Sequence, residues 1–111
     1  MIEVTVEDFM KARLPVPVFP EYPKESHKRF VVLRKVGSTR DNLVDTAVFV
    51  ADSYAESVYE TAKLNELVVS AFDNLIELDA VSSAKRAGDY NATDTQNKRY
   101  RYQAVCNVTY Y

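Results

Sequence analysis

The chain holds one cysteine and one histidine, the residue types that most readily pair as nucleophile and base. Covalent catalysis by such a pair needs an accessible sulfur with the imidazole in hydrogen-bond reach. Cys106 sits in the run Tyr100, Tyr102, Ala104, Cys106, Val108, Tyr110, whose strict alternation turns it inward. His27 lies between Ser26 and Lys28 in a proline-bounded segment. The expectation is therefore a buried small hydrophobe and a loop imidazole. Oxygen ligands for a metal are just as sparse. Asp41 with Asp45, and Asp89 with Asp94, lack the dense spacing of a calcium loop and read as turn residues bonding their own backbone. Gly37 and Gly88 are the only glycines, so no phosphate-cradling loop is present. No enzymatic activity, cofactor or metal is expected.

The chemistry that the spacing does suggest is that of contact surfaces. Glu56, Glu60, Glu66, Asp73 and Glu77 gather on one stretch against Lys63 alone. The cations fall elsewhere, at Lys28, Arg29, Arg34, Lys35, Arg40, Lys85, Arg86, Lys98, Arg99 and Arg101. An acidic flank on one copy could meet a basic flank on the next in a head-to-tail contact of the kind that closes into a ring. Eight tyrosines without tryptophan add interface-prone side chains. The alternation assigns Tyr100, Tyr102 and Tyr110 to the core, leaving Tyr54, Tyr59, Tyr90 and Tyr111 for contacts. The candidate interface residues are Arg40, Asp41, Tyr54, Glu56, Tyr59, Glu60, Asp89, Tyr90, Asp94, Arg99 and Arg101.

The elements that must position them follow from pattern. Thr5 as N-cap, with Asp8 in a weakened capping box and Val4 against Phe9 as a staple, predicts a helix over 6–13 that stops ahead of Pro15. Pro15, Pro17, Pro20 and Pro23 then hold an extended edge or covering strap. Strands are expected over 29–36 and 43–51, joined by a polar turn over 37–42. The second of these is apolar on both faces, which suits a central place in the sheet. A Ser53-x-x-Glu56 capping box opens a long helix whose apolar set is Ala55, Val58, Ala62, Val69, Phe72 and Ile76, flanked by Leu64, Val68 and Leu75. Strands over 78–86 and 100–110 complete an α+β fold. It is a mainly antiparallel sheet of four to five strands covered by one long and one short helix, in the order α-β-β-α-β-β, with an additional edge strand at the prolines as a variant.

At 111 residues the chain has the size of one domain, and 47% hydrophobic with 27% charged residues is an ordinary globular balance. A net charge of −2 disfavours a dedicated nucleic-acid binder. The lone cysteine excludes an internal disulfide framework and points to a reducing compartment. The N-terminus lacks a secretion-signal pattern, and no window approaches the ~20 apolar residues that span a bilayer.

Three stretches carry a resemblance: the strand-to-helix junction Val48-Phe49-Val50-Ala51-Asp52-Ser53-Tyr54-Ala55, then Ala62-Lys63-Leu64-Asn65-Glu66, and then Asp89-Tyr90-Asn91-Ala92-Thr93-Asp94 followed by Arg99-Tyr100-Arg101-Tyr102-Gln103-Ala104. From about Lys28 to the C-terminus the chain resembles the tail terminator, or tail-completion, proteins of long-tailed bacteriophages. The resemblance implies helices packed on a mainly antiparallel sheet and a ring, usually a hexamer, in the neck of the virion. It further implies contact with the tail-tube protein on one side and the head-completion or stopper protein on the other. DNA would pass through the lumen without specific binding, assembly would take place in the bacterial cytoplasm, and no catalytic residue carries over. A head-side stopper or adaptor is the second reading. A small ligand-binding α+β domain is the third.

Overall fold

The computed structural model describes residues 1–94, 96 and 99–111. The expectations that fell on Thr95, Asn97 and Lys98 lie outside these. Helix α1 spans Ile2–Arg13, strand β1 Val18–Phe19, β2 Phe30–Asp41, β3 Val44–Tyr54, helix α2 Val58–Asp73 and a 3-10 turn Asn74–Glu77. Strands β4 (Val81–Asn91) and β5 (Arg101–Tyr110) complete the chain. The order is thus α-β-β-β-α-β-β, because the proline segment supplies a strand of its own. That strand pairs parallel to β2 (Val18 with Val31, Phe19 with Val32), so the five-stranded sheet is mixed, in the order β1-β2-β3-β5-β4.

Alternation sorts the strands into two faces. Val31, Leu33, Ala47, Phe49, Ala51, Ala104, Cys106 and Val108 point to one side and join Ile2, Val6 and Met10 of α1 and Leu64, Val68 and Phe72 of α2 in one core. Both helices therefore cover the same face. The opposite face carries a smaller cluster of Phe30, Val32 and Tyr54, packed by Phe19, under the strap of residues 20–29. Strand β3 is central, paired to β2 and β5 along almost its whole length, as its two apolar faces require.

Several boundaries differ from the pattern reading. Helix α1 begins at Ile2 with no side-chain cap; Thr5 is not its N-cap but donates its hydroxyl to the Met1 carbonyl 3.1 Å away. Val4, read as a staple, is exposed. The i, i+4, i+8 set Ile2, Val6 and Met10 holds the helix to the core instead. The helix does stop where proline dictates, with Leu14 already extended before Pro15.

The polar run 37–42 is not a loop. Strand β2 continues to Asp41, which pairs with Val44, and only Asn42 and Leu43 turn, with φ of 49° and 66°. Positive φ at both central residues is what a right-twisted two-residue hairpin demands.

Helix α2 starts one turn later than the Ser53-Glu56 box implied. Ser57 is the N-cap, accepting from the Glu60 backbone N–H at 3.1 Å, while Ser53 lies buried inside β3. The same S-x-x-E spacing occurs at both positions, and strand pairing through Tyr54 selects the second. The buried face of α2 shifts accordingly to Thr61, Leu64, Asn65, Val68, Ala71 and Phe72, leaving Val58 and Ile76 exposed. Strand β4 runs from Val81 to Asn91, not 78–86, so Gly88, Asp89 and Tyr90 belong to a strand. Gly88 adopts a φ of 139° where the register slips between Arg86 and Gly88, a conformation that favours glycine. Further slips lie in β4 between Val81 and Ser83 and in β2 between Lys35 and Gly37. Tyr100 precedes β5, and Tyr100 and Tyr102 are only half-buried and outside the main core; Tyr110 packs against it.

Candidate functional site

The strand register decides which candidate residues meet. Phe30 pairs with Tyr54 and Tyr54 with Arg101, while Tyr90 pairs with Gln103 and Asp89 with Ala104. The chain leaves β3 at Tyr54 and enters α2 through Glu56, Tyr59 and Glu60. Asp94 and Arg99 form an isolated antiparallel bridge just before β5, with mutual backbone bonds of 3.0 and 2.9 Å. Tyr54, Glu56, Tyr59, Glu60, Asp89, Tyr90, Asp94, Arg99 and Arg101 are therefore gathered at one end of the sheet. Arg40 and Asp41 are not. They lie beside the hairpin tip, about 30 Å away at ~3.3 Å per strand residue, where Arg40 pairs with Asp45 at 3.7 Å.

The gathered end is built around stacked rings. Phe30 lies parallel to Tyr54 with ring centres 4.7 Å apart, and Phe19 of β1 with Tyr22 and His27 of the strap pack edge-on around Phe30. Tyr54, read as an exposed contact residue, is thus mostly buried. The Arg99 guanidinium sits 5.0 Å over the Tyr22 ring, fastening the strap to the segment before β5. His27 lies 5.0 Å from Phe19 by ring centres on this face, whereas Cys106 is buried on the helix-covered face. The two cannot act as a catalytic pair across the sheet. Burial pushes the Cys106 thiol up to about 12, further from a reactive thiolate.

Across the open face next to the rings runs a polar row whose centre, Asp52 with Arg34 and Gln103, was absent from the candidate set. Asp52, 3% exposed, accepts from Arg34 at 3.3 Å and from the Gln103 amide at 3.1 Å, and Gln103 in turn bonds the Tyr90 hydroxyl. Burial works to lower the Arg101 pKa, but the Tyr54 side chain and the Asp52 charge outweigh it and the net shift is upward. The Arg101 Nε lies buried without a hydrogen-bond partner among the described residues. A cleft of about 340 Å³ is bounded by Tyr22, Arg34, Asp52, Tyr54 and Arg101. The row was legible in principle: Asp52 follows Val48 and Val50 on that face of β3, and a buried charge at such a position needs partners on its neighbours.

The remaining candidates divide by environment. Asp89 accepts from the buried Asn65 amide at 2.7 Å and so tethers β4 to α2 rather than standing free. Asn91 and Asp94 accept from the backbone two residues on, which for Asp94 is the turn behaviour expected of it. Tyr59 is 71% exposed with Lys63 over its ring, and Glu56 and Glu60 are exposed beside it. Of the cations, Lys35 and Arg86 face the helix layer, bonded to Glu3 at 3.2 Å and Asp73 at 3.0 Å, while Arg34 and Arg101 occupy the open face. The expected cations are thus divided between the two faces of the sheet rather than gathered on one. Among the described residues no group of three His, Cys, Asp or Glu side chains is placed to hold a metal ion, and no helix is long and apolar enough to cross a membrane. No family model matches the chain, and no curated protein matches it significantly.

Proposed function

We propose that the protein is a structural component of a tailed-phage virion, a tail terminator that assembles as a ring, usually sixfold, on the end of the tail tube. In this reading the ring stops tube polymerisation and offers the joining surface to the head-completion protein, with DNA passing through its lumen. The sequence resemblance supplies the family. The observation that carries the reading is the gathering of aromatic and charged side chains, from Tyr54 and Glu56 through Tyr90 and Arg99, on one end of a domain whose helices cover only one sheet face. A protomer so arranged presents chemically different sides to its surroundings, which suits a head-to-tail contact in a closed ring.

Deleting the gene from its phage tests this. Abnormally long tails, or tails separated from filled heads, are expected; normal virions would overturn it. Empty or leaking heads without tails would transfer the protein to the head-side stopper. The cleft beside Asp52 and Arg101 favours one further reading, a small-ligand module. A saturable small-molecule thermal shift together with intact virions would establish that instead.

A further inference from the structure

The strap of residues 20–29 is held to the sheet by its rings. Tyr22 packs edge-on against Phe30 and Tyr54, His27 lies against Phe19 and Phe30, and the Arg99 guanidinium covers Tyr22. Among the described residues no hydrogen bond or ion pair ties the strap to the rest of the chain.

At the seam where the strap meets the segment leading into β5 lies a cleft of about 190 Å³, between His27 and Lys28 on one side and Tyr54, Arg99 and Tyr100 on the other. Its wall is mostly polar, and the charges on it are two cations, Lys28 and Arg99, with no carboxylate. A neighbouring cleft shares Tyr54 and Arg99 and adds Arg101 and Asp94. Across both, Lys28, Arg99 and Arg101 face one acid, an excess of two positive charges. None of these three cations has an ion pair among the described residues. Lys11, Arg13, Arg34, Lys35, Arg40 and Arg86, by contrast, each meet a carboxylate.

Like charges lining one small cleft repel each other. Lys28 belongs to the strap and Arg99 to the body, so the repulsion acts across the seam that no polar bond closes. An anion seated there would bond both cations and supply the fastening that is missing. The charge selects the anion. A phosphate monoester carries about −1.5 to −2 at pH 7 and offsets an excess of two, whereas a carboxylate or a phosphodiester brings a single charge. Arg99 offers it a planar fork of donors and Lys28 a point charge.

We infer that the seam between Lys28 and Arg99 binds the phosphoryl group of a small phosphate monoester, which locks the strap onto the sheet. The site goes beyond the tail-terminator reading and needs no second copy of the chain.

Calorimetric titration of the full chain in a chloride buffer of fixed, low ionic strength, with inorganic phosphate as the probe, tests it. Saturable one-to-one binding is expected, with acetate and dimethyl phosphate, both singly charged, at least about tenfold weaker. Arg99→Gln and Lys28→Gln are each expected to weaken phosphate binding by about tenfold or more. Lys28 takes part in none of the ring contacts, so its variant keeps the strap in place. Lys63→Gln, on α2 and outside both clefts, is expected to bind like wild type. Phosphate is also expected to slow tryptic cleavage after the exposed Lys24 and Arg29 of the strap, where acetate at equal ionic strength does not. Absence of saturable phosphate binding, acetate or dimethyl phosphate binding as tightly, a Lys28→Gln variant that binds like wild type, or strap cleavage indifferent to phosphate would each overturn the site. The terminator reading is judged separately, by the tail lengths of the deletion phage.

Discussion

The Arg34 guanidinium lies 3.3 Å from the Asp52 carboxylate, a diagonal contact two register positions off direct pairing on the open face of the β2–β3 ladder. Arg34 is half in water, whereas Asp52 is nearly sealed, so the carboxylate and not the guanidinium depends on the contact. Gln103 supplies its second donor from the other flank. Asp52→Ala would strand that amide and lower stability by about 1–3 kcal/mol, the cost of leaving a half-buried polar group unmatched. Arg34→Ala, which removes a largely solvated partner, would cost less. Chemical denaturation of both variants checks the order.

Ser53 and Ser57 give opposite expectations for one substitution. Ser57 caps α2, so Ser57→Ala would destabilise by roughly 1 kcal/mol. The Ser53 hydroxyl is buried with no hydrogen-bond partner among the described residues. Ser53→Ala would therefore leave the melting temperature unchanged or raise it. A pair of thermal melts distinguishes these, and a larger loss at Ser53 would mean that the helix begins where the first S-x-x-E box stands.

The phase of α2 is open to the same treatment. Leu64 is fully buried, and Leu64→Ala would cost about 2–5 kcal/mol by transfer and cavity formation. Ile76 is 52% exposed, and Ile76→Ala would stay within about 1 kcal/mol of wild type. Urea unfolding of both reads the difference directly.

Cys106 makes stability fall at alkaline pH. Its thiol ordinarily titrates near 9, and burial raises this to about 12 in the folded chain. The folded state thus holds the proton more tightly. Its contribution is complete below pH 9 and is lost progressively as pH rises from 9 towards 12. Cys106→Ala would flatten that alkaline decline relative to wild type, as followed by melting temperature against pH. In the native state the thiol should also resist an aromatic disulfide reagent until the chain is unfolded.

Much of this fold was legible in single residues. The alternation through Ala104, Cys106 and Val108 set the inward face of β5, and the doubly apolar β3 was recognisable as central. What escaped had physical causes. The run from Gly37 to Asp41 is polar because its strand faces solvent on both sides near the tip, and polarity alone resembles a loop. The turn at Asn42 and Leu43 lacks the glycine that would have marked it. The gathering of Tyr54, Asp94 and Arg101 depends on register across three strands, a relation between distant residues that no local pattern encodes. Asp52 was read within its strand motif and not as the centre of a polar row, because its partners are Arg34 and Gln103, far away along the chain.

The register slips in β2 and β4 have a further consequence. Strand β1 pairs with β2 only at Val31 and Val32, so among the described residues the outer side of β2 beyond them and the outer side of β4 are rows of backbone donors and acceptors without a strand partner. Straight, such rows would recruit any extended chain nearby. Here each is kinked midway, at Lys35 to Gly37 and at Arg86 to Gly88, and each carries cations at the kink: Arg34 and Lys35 on one, Lys85 and Arg86 on the other. Two borders so kinked cannot lie flush. However concentrated the protein becomes, it is guarded against zipping into endless fibrils through its strands.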